Sequence, residues 1–334
     1  MKVQVRKMNI ISVKNLYKEY VVIEKQEGVF GSLKALVKPE KKIIKALNDI
    51  NIEIHKGESV GYIGPNGSGK STTIKCLIGI LKPTKGKILV DGIDPQRERI
   101  RAAKKIGVVF GQRSNLLWDI RLNESFELNK RIYQISDNEY KKNRDELVEL
   151  LGIHEFLNTP VRQLSLGQRM RGEIVSALLH SPSILFLDEP TVGLDFESRD
   201  NILRYIKKIN HEKKVTVILT SHNIGDIESV CERLVVINNG KIVEDDKIGN
   251  VIEKFAPYKS IVVEYEDYVN KPIDIDNCSI TNIQNNVITY RVDKREKNVY
   301  NVLKDIVNNY NIKDIQVKDT EIEEVIGKIY KTRV

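Results

Sequence analysis

Short apolar runs alternate with amphipathic segments along the larger, N-terminal part of the chain. The runs at 59–63, 106–110, 184–187, 215–219 and 234–237 have the length of buried strands. Segments with helical spacing lie between these runs, at about 71–80, within 122–158 and across 167–180. Strands that alternate with helices predict an α/β fold, in which a mostly parallel sheet carries helices on its faces.

The N-terminal segment departs from this pattern. Residues 9–17 and 47–55 predict two strands, and a basic insertion at about 21–45 separates them. Four apolar residues recur in the insertion at helical spacing, among several lysines: Phe30, Leu33, Leu36 and Val37. The insertion either covers its own apolar stripe at the surface or contacts a membrane protein or anionic lipid.

The character of the sequence changes after residue 250. The segments KSIVVEYEDY, NVITYRV and DIQVKD predict strands, whereas KNVYNVLKDIVNNY and EIEEVIGKIY predict helices. We therefore expect a first domain at 1–250, with a helical subdomain at about 120–182, and a small α+β accessory domain at 251–334.

The composition excludes several classes of protein. The 334 residues are 41% hydrophobic and 30% charged, so a buried core is expected and wholesale disorder is not. No run approaches the roughly 18 consecutive apolar residues of a membrane-spanning helix. The first residues, MKVQVRKMNI, lack the apolar region of a signal peptide. We expect the chain to stay in the cytoplasm and to work at a membrane only through another protein.

The net charge of +8 raises the question of a nucleic-acid partner. Residues 251–334 carry 13 Lys and Arg against 14 Asp and Glu, so the positive excess lies in residues 1–250. It is spread along that region without a basic tail, which is typical of a solvated surface. We expect no nucleic-acid partner.

A phosphate-binding loop follows the strand at 59–63. The segment GPNGSGKST places four residues between Gly64 and Gly69, with Lys70 and Ser71 directly after them. Glycines let the backbone turn its N–H groups toward a polyphosphate, and the helix that begins near Ser71 adds a positive dipole end. Lys70 is expected to reach the β- and γ-phosphates, and the Ser71 hydroxyl to coordinate Mg²⁺.

Two further motifs narrow the class of nucleotide enzyme. In ILFLDEP, Asp188 at the strand end is placed to hold Mg²⁺, and Glu189 beside it can orient and polarise the attacking water. In QLSLGQRM, Ser165 and Gly167 offer a hydroxyl and an uncrowded backbone N–H at the start of a helix. Taken alone, the second motif is either a helix cap or an anion site.

The ordered set of motifs resembles the ATP-binding cassette family over about residues 10–245, specifically the ATPase subunits of transporters. In that family the signature turn of one subunit closes on ATP held by its partner. The resemblance therefore implies a homodimer, or a dimer with a closely related subunit, in which Ser165, Gly167 and Gln168 act in trans. Leu166 stands where the family usually has glycine, and we interpret it as a subfamily feature.

The resemblance also assigns individual residues. Glu189 and His222 are the expected catalytic residues, and His222 in LTSHN is expected to contact the γ-phosphate. Asp195 in TVGLD is expected to couple the two sites across the dimer. Mg²⁺ is assigned to Ser71, Gln112 and Asp188. ATP is assigned to Tyr20 (with Tyr17 as the alternative), Gly64, Pro65, Asn66, Gly67, Ser68, Gly69, Lys70, Ser71, Thr72 and Gln112.

Finer features resemble ATPases that work with a separately encoded export permease. These are the segment FGQRSNLLWDI, the insertion and the ending DIQVKDTEIEEVIGKIY, which is similar to the small C-terminal domain of drug-exporter ATPases. Trp118 is expected either to dock on the permease or to be buried in the helical subdomain.

Together these features predict an ATPase subunit that dimerises around two Mg·ATP and powers a separate polytopic permease at the cytoplasmic face of the cell membrane. The predicted direction is export, and import is the alternative direction. One alternative is a cassette ATPase that acts on the ribosome or on nucleic acid. Another is an inactive regulatory cassette, which the presence of Lys70, Asp188, Glu189 and His222 argues against.

Overall fold

The computed structural model describes residues 8–23, 41–111, 113–266, 275, 278–296, 298–309, 311–320 and 322–332. The chain divides into two compact units, Met1–Asp245 and Asp246–Val334. Each unit has a hydrophobic core of its own.

The first unit contains α/β structure. Its described strands are β1 (Asn9–Ile23), β2 (Lys41–His55), β3 (Ser59–Ile63), β4 (Lys85–Val90), β5 (Ile106–Phe110), β6 (Ile184–Asp188), β7 (Thr216–Thr220), β8 (Arg233–Asn238) and β9 (Lys241–Lys247), the last of which extends two residues past the unit boundary. Its described helices are α1 (Lys70–Leu77), α2 (Arg99–Ala103), α3 (Leu122–Tyr133), α4 (Asp137–Leu151), α5 (Leu166–Leu178), α6 (Phe196–Lys213) and α7 (Ile224–Val230).

The central sheet has the strand order β5-β6-β7-β3-β8-β9. The pairings β5–β6, β6–β7, β7–β3 and β3–β8 are parallel, which confirms the predicted α/β fold with a mostly parallel sheet. Strands of such a sheet are covered on both faces, which explains their uninterrupted apolar runs. The parallel arrangement also brings the carboxyl ends of β3, β6 and β7 to one edge.

A second sheet, of order β2-β1-β4, is antiparallel. Strand β1 pairs with β2 along its whole length, including the pairs Val21↔Ile43 and Tyr20↔Ile44. The prediction of an insertion that begins at residue 21 and ends at 45 is therefore wrong at both ends. Strands β1 and β2 form an antiparallel ribbon, and β-branched residues continue it into both ends of the predicted insertion. The predicted apolar stripe, Phe30 to Val37, lies outside the described residues.

Helix α1 ends earlier than the predicted residue 80. Gly79 adopts φ +78°, and the Leu81 N–H donates to the Lys75 carbonyl at 2.9 Å. A left-handed glycine with a bond back into the last turn ends a helix. The helical region after β5 forms as predicted from the apolar spacing, with Leu147 and Leu151 buried on one face of α4.

The second unit contains α8 (Ile248–Phe255), β10 (Tyr258–Tyr265), β11 (Cys278–Gln284), β12 (Val287–Asp293), α9 (Val299–Asn309), β13 (Ile312–Asp319) and α10 (Ile322–Thr332). Its strands form an antiparallel sheet of order β11-β12-β10-β13. Alternate residues of β10 and β12 point into a core that also contains Val302 and Ile306 of α9. In the described part of the chain, no helix combines the length and the apolar character needed to span a bilayer.

Candidate nucleotide-binding site

The phosphate-binding loop connects β3 to α1. Gly69 has φ +108°, and a β-carbon there would lie 2.7 Å from the Ala46 carbonyl oxygen. A β-carbon on Gly64 would overlap the carbonyl oxygen of Ile237. Both positions therefore exclude any side chain, because neighbouring backbone already occupies the space.

Lys70 is folded back over this loop. Its side chain is 8% exposed, and Nζ donates to the Gly64 carbonyl at 2.5 Å and to the Pro65 carbonyl at 3.2 Å. Burial lowers the pKa of Lys70, and the carboxylates of Glu189 and Asp188 act in the opposite direction. The amine is thus held where a phosphate can replace the carbonyls as its partner.

Two features of the loop fit a polyphosphate. The Ser68 hydroxyl is buried and has no hydrogen-bond partner among the described residues. Gly67 has φ +78°, and a β-carbon there would meet nothing within 4 Å, so open space adjoins the loop. The start of α1 adds a positive dipole end to the same place, which suits a phosphate.

Asp188 and Glu189 stand at the carboxyl end of β6. The register pairs Asp188 with Thr220 of β7, and the Thr220 hydroxyl donates to Asp188 Oδ1 at 2.7 Å. The Glu189 N–H donates to both the carbonyl and the hydroxyl oxygen of Thr220 at 3.1 Å. Thr220 thus orients both carboxylate residues, a role that was not predicted from the sequence. Its position at the end of a neighbouring parallel strand is the signal that could have indicated it.

Glu189 adopts the left-handed conformation, with φ +56°. This conformation costs a non-glycine residue about 1–2 kcal/mol, so surrounding contacts must maintain it. Gly111 is one such contact: its N–H donates to the Asp188 carbonyl at 2.8 Å, and a β-carbon on it would overlap the Glu189 carbonyl oxygen. The backbone before Gln112 is thereby pressed against the two carboxylate residues.

His222 lies directly against Glu189. Its Nε2 is 2.8 Å from Glu189 Oε1, with the imidazole about half exposed and the Glu189 side chain 17% exposed. The imidazole can therefore hold the carboxylate in one orientation, by a hydrogen bond or, when protonated, by an ion pair.

A cavity of about 330 Å³ opens beside these residues. Its lining includes Ser71, Lys75, Ile80, Phe110, Gly111, Arg113, Asp188 and Glu189. Gln112 itself lies outside the described residues, although both of its neighbours line the cavity. Arg113 and Lys75, which were not among the residues predicted from the sequence, add positive charge at this wall.

The donor set at this cavity fits Mg²⁺. The Ser71 hydroxyl and the Asp188 carboxylate are hard oxygen ligands, which Mg²⁺ prefers. The described residues contain no group of three His, Cys, Asp or Glu side chains that could hold a metal.

Ser165 caps helix α5. Its Oγ accepts a hydrogen bond from the Gln168 N–H at 3.2 Å, and Gln168 Oε1 accepts one from the Ser165 N–H at 2.9 Å. This reciprocal pair leaves the hydroxyl proton of Ser165 for an external acceptor. The two interpretations of the motif, helix cap and anion site, are therefore compatible.

The signature turn packs against the segment that carries Asp195. A β-carbon on Gly193 would lie 3.1 Å from Cδ2 of Leu166, and one on Gly167 would lie 2.7 Å from the Ser198 hydroxyl. Asp195 caps α6, with Oδ1 accepting from the Ser198 N–H at 2.9 Å, a bond that lowers the pKa of Asp195. The turn and this segment therefore form one packed group.

Two aromatic residues are partly exposed. Tyr20 lies on the β1–β2 ribbon with its side chain 39% exposed, and Nζ of Lys18 lies 5.1 Å from its ring centre. Trp118 is 51% exposed, with the Arg169 guanidinium 5.4 Å from its ring. Burial in the helical subdomain, one of the two expectations for Trp118, is therefore wrong.

Comparison with known proteins finds the same family by a family profile and by individual relatives. Residues 47–192 match the family profile described as ABC transporter. The chain is 32% identical over 214 residues to the ABC transporter ATP-binding protein NatA of Bacillus subtilis (strain 168), and the match covers 64% of this chain and 87% of NatA. It is 36% identical over 239 residues to the methionine import ATP-binding protein MetN of Geobacillus kaustophilus (strain HTA426), covering 70% of this chain and 69% of MetN.

A solved structure shows the same similarity. The dimeric post-hydrolysis state of the ATP-binding cassette MJ0796, bound to ADP and Pi, matches with a TM-score of 0.58 and 30% identity. The match covers 71% of this chain and 98% of that chain.

Proposed function

Because the chain belongs to the ATP-binding cassette family, as an ATP- and Mg²⁺-binding ATPase subunit that pairs with membrane components, we propose that Glu189 and His222 are its catalytic residues. We further propose that it drives a separately encoded permease from the cytoplasmic face of the membrane. The contact of 2.8 Å between His222 Nε2 and Glu189 Oε1 carries the first proposal, because it joins a candidate base to a group that orients it.

Each residue of the site has a part in attack by water on the γ-phosphoryl group. Glu189 orients the water and accepts its proton. His222 holds the carboxylate in place and contacts the γ-phosphate. Lys70 binds the β- and γ-phosphates in exchange for its present carbonyl partners. Ser71 and Asp188, with Gln112, are the residues that would hold Mg²⁺, which neutralises phosphate charge when bound.

The dimer completes this site. We propose that Ser165, Gly167 and Gln168 bind the γ-phosphate held by the partner subunit, and that Asp195 couples the two sites. The free hydroxyl proton of Ser165 supports this role, because it can be donated to a phosphate oxygen. Tyr20, partly exposed, is proposed to stack on adenine.

The direction of transport is a separate part of the proposal. The resemblance of FGQRSNLLWDI and of the terminal helix to exporter ATPases favours export. The similarity to a methionine import protein favours import, so this relative does not support the export assignment. We retain export as the proposal to be tested directly.

Replacing Glu189 with Gln tests the catalytic assignment. The amide keeps the size and the hydrogen bond but cannot accept a proton, so we expect ATP turnover to fall by about 100-fold or more. ATP affinity, measured by titration with a fluorescent nucleotide, should stay within a few-fold. The matched control is Glu197→Gln, an exposed carboxylate in the first turn of α6. Full turnover in Glu189→Gln would contradict the assignment.

Co-purification from detergent-solubilised native membranes tests the transport role. We expect a stoichiometric polytopic protein without a cassette of its own. Everted vesicles that contain both proteins should then accumulate the permease's cargo on addition of ATP if the direction is export. Accumulation only in right-side-out vesicles loaded with ATP would establish import. Recovery of ribosomal proteins or nucleic acid in place of a membrane protein would contradict the transport role.

A further inference from the structure

One buried carboxylate joins three segments of the first unit. Asp226, in α7, is 1% exposed. Its Oδ2 accepts hydrogen bonds from the Thr191 hydroxyl at 2.6 Å and from the Ser221 hydroxyl at 2.9 Å. Its Oδ1 accepts one from Arg199 Nε at 2.5 Å. Both oxygens of the carboxylate are thus bound to groups from other parts of the chain.

Two of the donors flank the catalytic pair. Thr191 lies two residues after Glu189, and Ser221 directly precedes His222. The Ser221 hydroxyl also accepts a hydrogen bond from the Asn223 N–H at 3.0 Å, so the turn is bound on both sides of His222. The Asp226 carboxylate therefore links the segment after Glu189 to the residue before His222, in addition to the direct bonds between Glu189 and Thr220.

The third donor belongs to the segment that carries Asp195. Arg199 lies one turn into α6, and its N–H donates to the Asp195 carbonyl at 2.9 Å. Its guanidinium forms a salt bridge with the buried Asp226 carboxylate. An ionised carboxylate at this depth is tolerated only when its charge and its hydrogen bonds are satisfied, so the arrangement fixes all three donors together.

We infer that Asp226 is a positioning residue for the Glu189–His222 pair. It touches neither water nor phosphate in this role; it acts by holding Thr191 and Ser221 so that His222 meets Glu189 at hydrogen-bond distance. The inference rests on the proposed function, because it assumes that this pair carries out the chemistry. Small displacements of a catalytic group reduce turnover steeply. None of the three donors to Asp226 belongs to the phosphate loop, so ATP affinity should change little.

Replacing Asp226 with Ala in the full chain tests the inference. We expect kcat for ATP hydrolysis to fall about 10-fold or more while KM for ATP changes less than about 3-fold. In the double variant Asp226→Ala/His222→Ala, kcat should fall by no more than about 2-fold beyond His222→Ala alone, because both changes disable one unit. A wild-type kcat in Asp226→Ala, or additive losses in the double variant, would overturn the inference.

Variants of the two hydroxyl donors test the same inference and leave the salt bridge between Asp226 and Arg199 in place. Thr191→Val and Ser221→Ala each remove one donor, and each should lower kcat about 3- to 10-fold at nearly constant KM. Thr191→Ser, which keeps the hydroxyl, should recover the turnover that Thr191→Val loses. If both hydroxyl-free variants turn over ATP at the wild-type rate, Asp226 does not position the pair.

The matched control is Asp245→Ala. Asp245 also pairs with an arginine, accepting from Arg233 Nε at 2.6 Å and from Arg233 Nη2 at 2.8 Å, and it lies outside the proposed site. Its removal should leave kcat within about 2-fold. The single variants Glu189→Gln and His222→Ala distinguish a failure of the proposed function from a failure of the inference about Asp226. If neither lowers kcat, the proposed function fails; if both do and the Asp226 series does not, only the inference fails.

Discussion

The two compact units differ in where they bury polar side chains and in which residues adopt the left-handed conformation. Every buried serine, threonine, asparagine or charged side chain that the structure describes lies in the first unit, including Lys70 and Asp226. Of the eight left-handed non-glycine residues that the structure describes in the first unit, Glu189 stands at the candidate catalytic site. In the described part of the second unit, the left-handed non-glycine residue is Asn285, in the exposed turn between β11 and β12.

The comparison of Glu189 with Asn285 distinguishes a residue whose conformation serves the candidate site from one whose conformation serves a turn. Asparagine tolerates the left-handed conformation and favours tight hairpin turns, so the second unit follows local rules. Glutamate has no such preference, and its conformation in the first unit is maintained by Thr220 and Gly111. A residue that is held in an unfavourable backbone conformation by contacts from several segments is typical of a functional site. Substitutions at the candidate site of the first unit should therefore change activity, and those in the core of the second unit should change stability.

The largest effect is expected for Gly64→Ala. The added methyl group would overlap the Ile237 carbonyl, so the phosphate loop must shift and ATP affinity should fall about 100-fold or more, equivalent to about 3 kcal/mol. Fluorescent-nucleotide titration measures the change. Gly249→Ala, in α8 of the second unit, is the matched control, because a β-carbon there meets nothing within 4 Å. Equal affinities of the two variants would remove the contrast between the units.

Ile261→Ala should affect stability without affecting ATP. Ile261 is fully buried in the core of the second unit, and truncation of such a side chain to alanine costs about 2–5 kcal/mol. Urea denaturation should show the loss, while KM for ATP stays the same at temperatures where the chain is folded. Ile283→Ala, on a side chain that is 53% exposed, should change stability by less than about 0.5 kcal/mol. A changed KM in Ile261→Ala would show that the units are functionally dependent.

His180 makes the stability of the first unit depend on pH. Its ring stacks on Tyr133 at 3.9 Å, Nε2 donates to the Ile106 carbonyl at 3.1 Å, and burial lowers the pKa of His180 to about 4. The unfolded chain, with the ordinary pKa near 6.5, binds this proton first. Stability should therefore be complete above pH 6.5 and decline as pH falls toward 4, by about 2 kcal/mol between pH 7.5 and 5.

His180→Phe removes the titration and keeps a ring against Tyr133. Urea denaturation at pH 7.5 and pH 5 should show a smaller decline in the variant than in the parent chain. The exposed His211 provides the control variant, His211→Gln, which should keep the full decline. Identical declines in the His180→Phe variant and the parent would exclude His180 as the source.

The smallest effect is expected for Gly327→Ala. Gly327 lies inside α10, and a β-carbon there meets nothing within 4 Å. Alanine favours a helix interior over glycine by about 1 kcal/mol, so the second unit should become more stable by roughly that amount. Calorimetry of the full chain measures the change. A lower melting temperature would mean that position 327 is constrained by something other than helix propensity.

The sequence predicted those features whose signals are local. The phosphate loop, Asp188, Glu189 and His222 each follow an apolar strand, so their placement at one sheet edge could be expected from parallel order alone. Thr220 could have been suspected from its place at the end of a parallel strand, but its partners depend on strand register. Asp226 could not be assigned, because its partners depend on packing between distant segments. The outer part of the β1–β2 ribbon was missed for a similar reason, since pairing between Val21 and Ile43 is visible only in the folded chain.

The contact between Leu166 and Gly193 has a consequence for hybrid proteins. Leu166 fits beside Gly193 because that position has no side chain, and a β-carbon at 193 would be only 3.1 Å from the leucine methyl group. The two positions are thus constrained as a pair, although 26 residues lie between them in the chain. A designer who transplants this signature turn into another cassette should therefore keep glycine at position 193, because a β-carbon there would require the leucine methyl group to shift by a few tenths of an ångström.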